Sequence, residues 1–165
     1  MKRWALSVAL CLIVLPLVGC AGRQASRLEG RYTLGDPGDG WRSVRPGGAD
    51  FAWYNESLRA TLYGDSNCAD RYEDGPLRDL AKHLTVGIAD EEIVFEETHS
   101  LAGREAYTAR RRGQLDGVAV EVGVTVLKKD ACVYDMVLIA PPGAPFEAAW
   151  SDFRGAVSDF ETKGS

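Results

Sequence analysis

The residues that could carry chemistry fall in a few short stretches. Tyr63-Gly64-Asp65-Ser66-Asn67 puts a serine after an alternating apolar segment. A serine nucleophile needs a base within hydrogen-bond reach and an acid to orient that base. The histidines are His83 and His99; neither has an Asp three residues before it, and none follows position 99. The same stretch is acidic, with Asp65, Asp70, Glu73 and Asp74. A calcium loop starting at Asp65 wants Asp or Asn at its first, third and fifth positions, then Gly, and a Glu at its end. Asp65 and Asn67 fit, whereas Ala69, Asp70 and Pro76 do not, so the acids read as solvated loop charge. Zinc would need carboxylates or cysteines brought to a histidine by the fold. No metal and no cofactor is expected. His83, near the end of a helix, needs no more than the favourable helix-end field to explain it. Arg110-Arg111-Arg112 could fork onto phosphate or carboxylate. On a strand, Arg110 and Arg112 share one face and Arg111 takes the other, so pairing with a strand neighbour such as Glu121 is the simpler use.

The Gly-Asp-Ser block at 64–66 resembles that of SGNH hydrolases, in which Ser66 would be the nucleophile. That family takes its base and acid from a late Asp-x-x-His, which this chain lacks. No residue set names a reaction, and the chain is expected not to be an enzyme.

A second resemblance concerns location. Met1, Lys2 and Arg3 precede an apolar run from Trp4 to Val18, the layout of a secretory signal. The run is about 15 residues, short of the roughly 20 that span a bilayer, and Pro16 interrupts it. Leu17-Val18-Gly19-Cys20 then resembles the lipobox of bacterial lipoproteins. The resemblance implies cleavage before Cys20, a diacylglyceryl group on its sulfur, and acylation (palmitate or a similar chain) of its freed amino group. Two or three acyl chains anchor stably where one does not. In the lipoprotein families an Asp after the lipidated Cys marks retention at the inner membrane; Ala21 stands there in this chain, so the resemblance implies the outer membrane, with the domain facing the periplasm. The inner membrane and the cell surface stay open, as do a plain signal anchor and a lone Cys inside an ordinary signal peptide.

Without Lys2 and Arg3, the mature chain carries 17 basic against 24 acidic side chains, a net charge of −7. That argues against nucleic acid and against electrostatic docking on anionic lipid. Of four cysteines, Cys11 leaves with the leader and Cys20 takes lipid. Cys68 and Cys132 remain, and in an oxidising compartment elimination pairs them as a disulfide. Two free buried thiols, or a thiol site, are the alternatives.

The elements that position these residues follow from periodicity. Residues 1–19 read as leader, 20–30 as tether and 31–162 as one domain. Short strands are expected at 31–34, 41–45, 50–55 and 58–63, with residues 64–75 as a polar loop. Leu77, Leu80, Ala81 and Leu84 make the stripe of a helix at 76–86. Residues 91–140 read as a four-strand antiparallel meander, with turns at Ala102-Gly103, Asp116-Gly117 and Lys128-Lys129-Asp130. Its last strand, Cys132 to Ala140, is apolar on nearly every residue and so should be central. Phe146, Ala149, Trp150, Phe153, Val157 and Phe160 face the sheet from a helix at 145–160.

This is an α+β domain, a twisted antiparallel sheet with packed helices. Residues 31–162 look like the PsbP-like α/β/α sandwich: a Cys after an early strand, the CVYDMVLIA strand, and a closing F-x-x-x-W-x-x-F helix. The resemblance implies an accessory, assembly or binding module with an envelope protein or a lipid as partner. A lipid or small-molecule carrier with an apolar cavity is the alternative.

Overall fold

The computed structural model describes residues 31–68 and 74–163. The leader, Cys20 and the tether lie outside the described residues, as do Asp70 and Glu73. The strands are β1 (Tyr32–Thr33), β2 (Trp41–Val44), β3 (Phe51–Asn55), β4 (Ala60–Cys68), β5 (Ala89–Leu101), β6 (Arg104–Leu115), β7 (Val118–Lys129), β8 (Cys132–Ala140) and β9 (Glu161–Thr162). The helices are α1 (Leu77–His83) and α2 (Ala144–Ser158). Among the described residues, no helix is long and apolar enough to cross a membrane.

Seven strands form one antiparallel sheet in the order β2-β3-β4-β8-β7-β6-β5. The expected meander is β5 to β8. Its three two-residue turns, Ala102-Gly103, Asp116-Gly117 and Asp130-Ala131, have both central residues at positive φ. That backbone matches the twist of the flanking strands. The third turn falls one to two residues later than the lysines suggested, because Lys128 and Lys129 still pair with Val133 and Cys132. β8 is buried at all but one position and lies in the middle of the sheet.

Among the described residues, each face of the sheet carries one helix. The α2 stripe of Phe146, Ala149, Trp150, Phe153 and Val157 packs on Leu62, Leu127, Tyr134, Met136 and Leu138. Gly123 makes room for it, since a Cβ there would overlap the Trp150 ring. On the other face Ala81 of α1 is buried against Val122, Val124, Val126 and Val137. α1 stops at His83, earlier than its apolar stripe suggested; Thr85 and Val86 disfavour further helix, and Gly87 turns the chain at φ 99°.

Two departures from the sequence reading matter for the site. β4 runs on through Gly64, Asp65, Ser66 and Asn67 to Cys68, where a loop was expected. These residues stay extended because each pairs with β8, from Gly64 opposite Met136 to Cys68 opposite Cys132. Gly64 also lets Phe51 and the Tyr32 hydroxyl approach the strand. Second, the chain beyond α2 forms β9, which pairs with β1 as Tyr32 opposite Thr162.

Candidate functional site

Four groups of polar or exposed side chains stand out on this frame. The first is the arginine run. Alternation on β6 sends Arg110 and Arg112 to the α2 face, where Glu121 of β7 is fully buried between them. Arg110 donates from Nε and Nη2 to Glu121 Oε1 at 3.0 and 2.6 Å. Arg112 donates to Oε2 at 3.3 and 3.1 Å. Arg110 also reaches Glu147 of α2 at 2.6 Å and stacks over the Phe146 ring at 4.8 Å. Arg111 points the other way and donates to Glu91 at 2.7 Å. The chain's own carboxylates therefore occupy these forks, and the run ties β6, β7 and α2 together.

The second group surrounds Ser66. It is buried on the α2 face of β4 and donates to Asp50 Oδ2 at 2.7 Å. A carboxylate, not a histidine, accepts its hydrogen bond. The Tyr32 hydroxyl lies beside Asp50; burial first, and the Asp50 charge second, push it well above the ordinary tyrosine range. On the opposite face Asp65 and Asp135 are register partners across β4 and β8. Burial, then the Asp65 charge, pushes the Asp135 carboxyl up to about 7. Asp65 is itself raised, by burial and then by Asp50. The sequence reading missed this row of strand-borne acids; the alternation of Leu62, Gly64 and Ser66 was the available signal. Among the described residues, no three His, Cys, Asp or Glu side chains are placed to hold a metal ion.

The third group is a chain of hydroxyls ending on His99. His99 Nε2 meets Thr108 Oγ1 at 2.8 Å, and Thr108 Oγ1 meets Thr125 Oγ1 at 2.8 Å. The three residues sit on β5, β6 and β7 and form part of the lining of a cavity of about 430 Å³ against α2. Leu101, Phe153 and Val157 supply its apolar wall, with Glu97 and Arg154 also lining it.

The fourth is an apolar end of the sheet. Val86, Leu115 and Val118 are exposed, Val86 at 78% and Val118 at 64%; Ile93 and Val94 are exposed further along the edge strand β5. Leu115 and Val118 face each other across the β6–β7 turn. At the opposite end of the sheet a disulfide joins Cys68 of β4 to Cys132 of β8. There Arg31, the first described residue, lies against the Cys132 sulfur.

No protein-family model matches this chain, and no curated protein sequence does. Solved structures are similar in fold. The cyanobacterial PsbP (CyanoP) from Synechocystis sp. PCC 6803 matches with a TM-score of 0.58 at 16% identity, over 80% of this chain and 86% of that one. The Saccharomyces cerevisiae Ran-binding protein Mog1p matches with a TM-score of 0.58 at 14% identity, over 75% and 86%. LpqN, involved in cell envelope biogenesis of Mycobacterium tuberculosis, matches with a TM-score of 0.56 at 11% identity, over 79% and 83%. The fold is PsbP/Mog1-like.

Proposed function

We propose that this chain is a lipid-anchored, non-catalytic accessory or binding module of the bacterial cell envelope. It is held through Cys20 on the periplasmic face of the outer membrane, and residues 20–30 serve as tether to the single domain. The observation that carries the reading is the placement of the two ends of the sheet. Arg31, where the expected tether meets the domain, lies beside Cys132, while the exposed apolar residues Leu115 and Val118 lie at the opposite end of the sheet. β7 alone spans twelve residues between these ends, about 40 Å of strand. An anchored domain would therefore hold its apolar end away from the lipid surface, where a protein partner can cover it.

Large exposed apolar residues grouped at one place mark interaction surfaces more often than scattered ones do. Exposed Asp90, Glu92 and Asp116 border the group, so a partner with an apolar centre and a basic rim suits it. The lipobox supports the anchor. A binding rather than catalytic role is supported by Ser66, which is committed to Asp50. The names of two fold neighbours, an envelope-biogenesis protein and a Ran-binding protein, agree with an accessory role in kind.

Two experiments test this. Palmitate labelling should be lost in Cys20→Ala; labelling that persists overturns the anchor. A photo-crosslinker placed at Val118 in native envelopes should capture a discrete protein, and Leu115→Asp should abolish capture. Co-purified lipid with no protein crosslink would favour the carrier instead.

A further inference from the structure

We propose that the cavity between β5–β7 and α2 binds a small zwitterion with an apolar side chain, that is, a free apolar α-amino acid. This site is separate from the partner-binding end of the sheet and does not depend on it. At about 430 Å³ the cavity lies within the range of small-molecule sites. Such sites combine an apolar wall with a few convergent polar groups, and this one does. Leu101 and Phe153 form apolar wall, and the buried hydroxyls of Thr108 and Thr125 form a polar floor.

The charges choose the occupant. Glu97 comes from the sheet and Arg154 from the helix, so opposite charges approach the cavity from opposite walls. Among the described residues neither makes an ion pair, whereas Arg110, Arg111 and Arg112 of β6 each do. A plain carboxylate would meet Arg154 but face Glu97, and a plain amine would do the reverse. A molecule carrying both charges satisfies both walls while its side chain lies on Leu101 and Phe153. The hydroxyl chain can serve either head group. If His99 carries its proton on Nε2, it donates to Thr108, Thr108 donates to Thr125, and the Thr125 hydrogen is free for an acceptor. If Nε2 is bare, Thr108 donates to it and Thr125 donates to Thr108, which leaves lone pairs on Thr125 for a donor.

The test is a ¹H–¹⁵N chemical-shift titration of the domain with L-leucine, N-acetyl-L-leucine and L-leucinamide. The first has both charges, the second only the carboxylate and the third only the ammonium. L-leucine should shift saturably the amides of residues 97–101, 125 and 154–158, and both analogues should bind several-fold more weakly. Arg154→Gln should weaken L-leucine and N-acetyl-L-leucine but leave L-leucinamide unchanged, and Glu97→Gln should do the converse. Both positions are exposed, so the fold survives either change. An analogue that binds as well as L-leucine, shifts centred elsewhere, or no saturable shift with any of the three would overturn the proposal.

Discussion

Asp65 and Asp135 face each other as register partners across the two central strands β4 and β8. Two carboxyls so placed resist ionising together, and burial adds to the resistance. Asp135 is accordingly pushed up to about 7 from an ordinary 3.8. Tyr63, also on β4, is raised by burial and then by the Asp135 charge.

The sign of the linkage follows. A carboxyl raised in the folded state binds a proton that the unfolded chain releases. Its contribution is fully present below about pH 4 and is lost as pH rises through about 7. Between pH 4 and pH 8 the wild type should lose on the order of 4 kcal/mol from this group. In urea unfolding, Asp135→Asn should be the more stable protein at pH 8 and show a flatter pH profile. A variant with the wild-type slope would remove Asp135 as the cause.

Glu121 sits fully buried between Arg110 and Arg112. Truncating it leaves the largely buried Arg110 with Glu147 as its remaining carboxylate and opens a space in the packing beneath the half-exposed Arg112. Glu121→Ala should cost roughly 3–5 kcal/mol by chemical denaturation. Glu147→Gln, at the exposed end of the same network, should cost less than about 1 kcal/mol. Equal losses from the two would contradict the burial argument.

The Cys68–Cys132 disulfide closes a loop with a sequence separation of 64. Loop-closure entropy puts its stabilisation at roughly 4 kcal/mol as an upper figure. Reductant should lower the urea midpoint, and the Cys68→Ser/Cys132→Ser double variant should reproduce that midpoint without reductant. Ready alkylation of both thiols in the unreduced, unfolded chain would refute the bond.

The three turns of the meander differ at their second position. Gly103 and Gly117 hold the second turn position in two of them, while Ala131 holds it in the third at φ 58°. A side chain there costs on the order of 1 kcal/mol. Ala131→Gly should therefore raise the melting temperature by about 3 °C. An unchanged or lower value in calorimetry would show that the strain is already relieved.

Much of the frame was legible because its signals are local. Asp116-Gly117 announces a hairpin, and the alternating valines from Val118 to Val126 announce the strand after it. The arginine–glutamate network was legible for the same reason, since Arg112 and Glu121 flank that hairpin as register partners. β4 beyond Tyr63 was not, because Gly64, Asp65, Ser66 and Asn67 each favour turns in isolation. Only pairing with β8, about 70 residues away, holds them extended. The His99–Thr108–Thr125 chain was invisible for a related reason. Its members come from three strands and meet through register, which no spacing in the sequence displays. β9 is two residues long and carries no pattern of its own.

The pairing of β1 with β9 has one more consequence. Lys163 donates its backbone N–H to the Arg31 carbonyl at 2.8 Å, so the chain returns to where the domain begins. The domain is a nearly closed loop of polypeptide with its seam at one edge of the fold. A short linker could join 163 to 31, and the ring could be reopened between Asp116 and Gly117 to give a circular permutant. In such a molecule a tether attached at the new opening would hang the domain upside down, with the disulfide end outward.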